Sequence, residues 1–189
     1  MTHDSRTSMV RSAAALFSTR GANATSFSDV IAESGAPRGS IYHHFPEGKK
    51  QLALDAIGWT AQRVLAHLRA SPAVTPSDVM AYFIAMWRYV VVSSGASAGC
   101  AVAGVAVDTP HDDADVMRAV NAAFRSWSEL LAEQLAAAGV PAQRAGAIAL
   151  TTLAGMEGAL ILCRAEGGVA PLDAVAEELM RLLPDSAPD

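Results

Sequence analysis

The sequence is poor in everything that would hold a fold together covalently or through a metal. Its two cysteines, Cys100 and Cys163, cannot by themselves build a disulfide framework or a zinc site. Aromatic residues are only 6% of the chain and charged residues 17%, but 51% belongs to the hydrophobic set, which is ample for a core and excludes intrinsic disorder. The N-terminal stretch MTHDSRTSMVRSAAALF has too short and too interrupted an apolar run for a secretory signal. These absences lead to the expectation of a cytoplasmic chain in a reducing setting. Lysine is scarce as well. The only two are adjacent, Lys49 and Lys50.

A net charge of -5 argues against a polyanionic partner only if the charge is evenly spread. It is not. The first 70 residues hold eight basic residues against five acids, a balance of +3, and the remaining 119 hold six arginines against fourteen acids, a balance of −8. Such asymmetry between the ends of a chain is a hint of a polyanion-binding end.

Period-2 alternation is rare, and most of the chain reads at helical spacing. Met9, Ala13, Leu16 and Phe17 form a stripe that stops at Gly21. Ser26 fits an N-cap, with Asp29 three residues on completing a capping box. Gly35 ends that short helix, and Pro37 suits the first turn of the next, which reaches about His44 before Phe45-Pro46 breaks it. Leu54, Ile57, Ala61, Val64 and Leu68 mark a fourth helix at about 49–70. Further stripes run through Met80, Phe83 and Trp87, then through Met117, Val120, Phe124, Trp127 and Leu131, and two more helices are expected at 141–166 and 171–183. Linkers rich in Gly, Ser, Pro, Asp or Thr are expected at 71–75, 93–98, 107–112 and 167–170. The fold class is all-α, with about nine helices.

The segment Ala145–Cys163 carries a single charge, Glu157, and has to be weighed as a membrane span. Much of it is Ala, Gly and Thr, and a carboxylate within a span is costly, so a helix buried between protein surfaces explains it better. Ala145, Ala149, Thr152, Met156 and Ala159 follow helical spacing and would let another helix approach closely. Glu157 is expected either to pair with Arg164, two turns along, or to point into a pocket.

The informative stretch is TSFSDVIAESGAPRGSIYHHFPEGKK, residues 25–50. Two short helices joined by a Gly-containing turn make a helix-turn-helix, whose second helix lies in the DNA major groove. The first helix buries Val30 and Ile31. The second buries Ile41 and turns Arg38, Ser40, Tyr42 and His43 outward. Gly39 is costly in a helix and suits a backbone that approaches another surface closely. Lys49 and Lys50 oppose the dipole of the helix they open, but with the helix-start amides they suit a DNA phosphate.

Helix one ending in FSTRG, followed by TSFSDVIAESGAPRGSIYHHFPEGKKQL, resembles the N-terminal DNA-binding domain of the TetR family of bacterial repressors. APRGSIYHHFP, SAGCAVAGVAVD at Ser97–Asp108 and GMEGALILCRAEG at Gly155–Gly167 are similar to the LmrA-related, lincomycin-resistance-type subgroup. The resemblance implies a helix-turn-helix domain at 1–48, joined by helix four to a larger ligand-binding and dimerisation domain at 49–189. It implies a double-stranded operator as partner, contacted by Thr25, Ser26, Pro37, Arg38, Gly39, Ser40, Tyr42, His43, Lys49 and Lys50. Arg38 is the candidate for base readout, because a guanidinium can bond guanine O6 and N7 together.

The resemblance further implies a homodimer through the last two long helices, pairing the small-residue face of the first with the Leu172, Val175, Leu179 and Leu182 stripe of the second. It implies a small effector, apolar or aromatic, near Met80, Phe83, Met86, Trp87, Phe124, Trp127 and Met156, side chains that repack readily around flat compounds. No cofactor, metal or membrane partner is expected. A helical enzyme without DNA binding is the competing reading, but His43 and His44 are neighbours that point apart on a helix, and no metalloprotease, Gly-x-Ser-x-Gly, phosphate-loop or dinucleotide fingerprint is expected.

Overall fold

Met9, Ala13 and Phe17 recur every four residues along the first helix, so they share one face, and each is almost completely buried. In the computed structural model, which describes residues 2–110 and 113–184, this helix, α1, spans Thr2–Arg20. It is followed by α2 (Phe27–Ser34), α3 (Ser40–His44), α4 (Lys49–Arg69), α5 (Pro76–Ser93), α6 (Ala101–Asp108), α7 (Ala114–Ala137), α8 (Ala142–Glu166) and α9 (Ala170–Met180). Nine helices and no strand occur among the described residues, so the chain is all-α. The expected linker at 107–112 ends on residues 111 and 112, outside the described residues.

The helices gather into two compact units. One comprises the chain through Arg63 together with Cys100–Ala123, and the other Val64–Gly99 with the chain from Phe124 onward. This division follows packing. The boundary expected after residue 48 falls inside the first of these units.

In the first unit α1 is the platform against which α2, α3 and α6 pack. It ends at Gly21, whose positive φ of 83° lets its amide turn back onto the Phe17 carbonyl at 3.1 Å. Ser26 caps α2, accepting from the Asp29 amide while the Asp29 carboxylate accepts from the Ser26 amide at 2.8 Å. Gly35 closes that helix in the left-handed region. Val30 and Ile41 are fully buried, and Phe45 nearly so. The second short helix starts at Ser40 rather than in the turn of Pro37. Residues 37–40 close a turn first, with the Ser40 amide and hydroxyl both donating to the Pro37 carbonyl, at 2.9 and 2.7 Å.

Helix α6 is absent from the sequence-based reading. AVAGVAV is apolar on every side and gives no periodicity to detect. Its start is capped by the Cys100 thiol, which accepts the Ala103 amide at 3.4 Å. It crosses α1 so closely that a Cβ at Gly104 would lie 2.7 Å from the Phe17 carbonyl oxygen.

The second unit is built around α5 and α8. Thr75 and Asp78 repeat the capping box at the start of α5, with Pro76 in its first turn. Met80, Phe83, Trp127, Leu131, Leu135, Met156 and Leu172 are fully buried. The buried Thr152 hydroxyl donates to the Met80 sulfur at 3.4 Å. Arg88 grips the Asp173 carboxylate through Nε at 2.8 Å and Nη2 at 3.2 Å, tying α5 to α9.

Helix α8 corrects one expectation. Ala145, Ala149, Thr152, Met156 and Ala159 are all within 1% of complete burial and face the inside of this same chain, where α8 packs on α5 and α9. They are therefore not a surface for a second copy. The α9 stripe is likewise used internally, since Leu172 and Leu179 are buried and a Cβ on Gly155 would touch Val175 and Leu179. The opposite face of α8 is exposed and also apolar, running through Ala147, Leu150, Ala154, Gly158, Ile161, Leu162 and Ala165. With a mean hydropathy of 1.6 over an 18-residue stretch, α8 is long and apolar enough to cross a membrane by length and composition, but its inner face is protein core.

Two outcomes follow from this packing. Gly104→Ala should cost about 1–3 kcal/mol, because the backbone of α1 cannot yield to the new methyl; Gly58→Ala, on an exposed turn of α4 with nothing within 4 Å, should stabilise by about 0.5–1 kcal/mol in the same denaturant titration. Equal effects at the two positions would contradict the close crossing. The Ser26 hydroxyl and amide hold the Asp29 carboxyl below the usual carboxylate range, and Thr75 does the same for Asp78. Folded values lie below unfolded ones, so the stability these caps contribute is complete above about pH 4 and is lost as acid carries the pH down through the folded values. Asp29→Ala and Asp78→Ala should therefore differ from the parent chain at neutral pH and converge with it in acid, as read by denaturant midpoints.

Candidate nucleic-acid interface

The α2-turn-α3 motif is anchored from below by Val30, Ile41 and Phe45, which leaves its upper face free of structural duty. Arg38 lies in the turn immediately before α3 and is exposed, with no hydrogen bond or ion pair to its guanidinium among the described residues. Pro37 and Gly39 flank it and are exposed too. A Cβ on Gly39 would meet nothing within 4 Å, so the close approach its type allows would be to something outside the chain. Tyr42 is 69% exposed, and its ring stands edge-on to Phe27 at 5.6 Å, which fixes the direction of the phenol without burying it. His43 is exposed beside it, and the half-buried His44 stacks edge-on between His43 and Phe45.

The hydroxyls divide differently from the expectation. Thr25 is 2% exposed and its hydroxyl donates to the Gly21 carbonyl at 2.7 Å, so it braces the α1–α2 turn and has nothing to offer a phosphate. Ser26 is exposed, but its hydroxyl serves the capping box. The Ser40 hydroxyl is half-buried and closes the turn on Pro37. What remains at the surface is one guanidinium, one phenol, one imidazole and the amides of the α2 start.

The two lysines also part company. Lys49 is exposed and its ammonium donates to the Asn23 carbonyl at 3.1 Å, with no ion pair among the described residues, although its charge acts through space on the Asp29 carboxyl. Lys50 lies 2.8 Å from both Asp113 and Asp115, ahead of and within the first turn of α7. Asp113 and then Asp115 raise the Lys50 pKa, and the ammonium in turn holds both carboxyls low. Its charge is already spent. Asn23 donates twice to Asp108, the last residue of α6: its backbone amide to the Asp108 carboxylate and its side chain to the Asp108 carbonyl, each at 2.9 Å. Neither residue stood out in the sequence, since each is a lone polar residue and they lie 85 positions apart.

The candidate effector residues all fall within the second unit, and four of them are in ring contact. Trp87 meets Phe83 at 6.4 Å and Trp127 at 6.2 Å, and Phe124 meets Trp127 at 5.5 Å, all edge-on. Met80, Phe83, Trp127 and Met156 are fully buried, whereas Met86 and Phe124 are half-buried. The buried Trp87 indole N–H has no hydrogen-bond partner among the described residues. A separate pocket of about 300 Å³, lined by Ser71, Ala73, Val74, Val79, Gln134, Ala137 and Ala138, includes none of the seven.

A nucleophile elbow is not assembled among the described residues. Contrary to the expectation, Gly95–Gly99 spells a Gly-x-Ser-x-Gly run, but it follows helix α5 instead of a strand, and the Ser97 hydroxyl donates to the Ser94 carbonyl at 2.8 Å. No group of three metal-ligating side chains occurs among the described residues.

Residues 10–56 match the family model described as bacterial regulatory proteins, tetR family, and residues 76–178 match the C-terminal domain of LmrA/YxaF-like transcriptional regulators. An HTH-type transcriptional regulator of Mycobacterium tuberculosis is 36% identical over 97% of this chain and 96% of its own length. The HTH-type transcriptional regulator LmrA of Bacillus subtilis is 28% identical over 89% and 91%. In fold, the chain matches a TetR transcriptional regulator of Legionella pneumophila at a TM-score of 0.83, with 22% identity and coverage of 94% and 96%. It also matches a cysteine-substituted TetR-family regulator, CifR, complexed with 26-bp double-strand operator DNA, at 0.77, with 18% identity and coverage of 94% and 96%. These relatives are regulators and not enzymes. The chain belongs to the TetR family of DNA-binding transcriptional regulators, with a C-terminal domain of the LmrA/YxaF-like type.

Proposed function

We propose that this protein is a cytoplasmic repressor that binds a palindromic operator as a homodimer and is released by a small apolar or aromatic effector. The observation that carries the reading is the free polar face of the α2-turn-α3 motif: Arg38, Tyr42 and His43 exposed together, with Lys49, which makes no ion pair among the described residues, at the start of α4. Arg38 would read a base in the major groove, while Tyr42, His43, Lys49 and the amides at the α2 start would hold phosphates and set the register. Residues 1–48 are the DNA-reading part, α4 the connection, and 49–189 the effector and dimer part.

The dimer reading draws on the outer face of α8. Leu150 is 62% exposed and Ile161 66%, an apolar cost that a second copy would remove, and Ala147, Ala154 and Gly158 between them allow close approach of the same helix across a two-fold axis. This face replaces the inward one as the candidate interface. The effector reading draws on the aromatic and methionine cluster of the second unit, where the Trp87 N–H would favour a flat compound carrying a hydrogen-bond acceptor. Such a compound lowers operator affinity only as far as it prefers the conformer that cannot span two successive grooves.

Mobility shifts on the DNA flanking the gene test the DNA contacts. Arg38→Ala should cost about 1–3 kcal/mol and relax preference at one base pair in each half-site; unchanged sequence preference would remove Arg38 from base readout. Lys49→Ala should weaken all sequences alike and flatten the salt dependence by about one unit of slope, whereas Lys50→Ala, already neutralised by Asp113 and Asp115, should leave the slope at its parent value. The reverse order would overturn the assignment of the two lysines. Leu150→Glu with Ile161→Glu should give a monomer in sedimentation, and a dimer that survives both changes would move the interface elsewhere.

A further inference from the structure

The DNA-contacting residues proposed above all lie before residue 51, but what holds them in place does not. Asn23 sits in the turn between α1 and α2, three residues ahead of the α2 cap Ser26. Its amide N–H and its side-chain NH₂ are both taken by Asp108, and its carbonyl by Lys49. One residue therefore joins the end of α6, the start of α2 and the start of α4. The approach is close. A Cβ on Gly21 would run into the Asp108 carboxylate, and one on Gly104, a turn earlier in α6, into the backbone of α1. Lys50, bound to Asp113 and Asp115, fixes the start of α4 to the segment that follows α6.

We propose that Asp108 is a positioning residue for operator recognition: by holding Asn23 it sets where the α2 start and Lys49 stand, and so whether Arg38 meets its base, without touching DNA itself. The proposal rests on the DNA-binding reading of the motif and extends it. The determinants of operator affinity then include α6, which lies inside the segment matched by the C-terminal family model. A rigid turn matters because a bidentate base contact tolerates little displacement of the group that makes it. The simple electrostatic view of Asp108 gives the opposite sign, since a carboxylate that shares Asn23 with Lys49 repels phosphates, and its removal should tighten binding to every sequence.

The test compares Asp108→Ala, Asp108→Asn and Asn23→Ala with the parent chain, on the footprinted operator and on a scrambled duplex of equal length, across a salt series. Asp108→Asn keeps an oxygen that can accept the Asn23 amide. The expectation for Asp108→Ala is an operator affinity about tenfold lower, the scale of one bidentate base contact, with scrambled-duplex affinity and salt slope unchanged. Asn23→Ala should fall in the same direction, and Asp108→Asn should stay within about threefold of the parent operator affinity. Unchanged operator affinity in Asp108→Ala and Asn23→Ala would overturn the proposal. So would tighter binding of Asp108→Ala to both duplexes, which assigns Asp108 a purely electrostatic effect, or a fall on both duplexes alike with a lowered melting temperature, which makes it structural. If the parent chain protects no operator, the failure is of the repressor reading itself and shows in the parent before any variant is compared.

Discussion

Helices of eight and five residues have no stability of their own in water, because nucleation costs more than so few hydrogen bonds return. The shape of α2 and α3 is therefore set by what their buried side chains rest on. Val30 and Ile41 are fully buried in the unit whose platform is α1, where Met9, Ala13 and Phe17 repeat at four-residue spacing. Because packing fixes these short helices from one side, their other side can be spent on polar groups that do nothing for the fold. Arg38, Tyr42 and His43 are exposed for that reason.

The same division governs charge. A chain with a net charge of -5 binds a polyanion only if its few cations are left unneutralised where they are needed. Lys49 meets a carbonyl and keeps its charge, while one residue later Lys50 is consumed by Asp113 and Asp115. One lysine serves as a surface cation and its neighbour as a clasp. The acids of the α6–α7 region thus act on the fold, through Lys50 and Asn23, while lowering the local positive potential.

Much of this was legible in the sequence wherever the signal was local. The capping box of α2 followed from Ser26 and Asp29 three apart, and the helix ends at Gly21 and Gly35 from the left-handed backbone that glycine permits. Nonlocal pairings were not legible. Lys50 and its acids are separated by more than sixty residues, and nothing in the local pattern distinguishes it from Lys49. Thr25 looks like a DNA contact until its burial is known. Helix α6 has no polar face to give it a period. In α8 both faces carry small or apolar residues at helical spacing, so periodicity named a tight-packing face correctly but could not tell whether it faced this chain or another.

The central claim is that two copies present the α3 face to successive turns of one operator. Hydroxyl-radical footprinting on the DNA flanking the gene tests it most directly. The account predicts two protected segments in inverted repeat, with centres about one helical turn, 10–10.5 bp, apart or a multiple of it. A single unrepeated patch, or no protection at moderate salt, would contradict it.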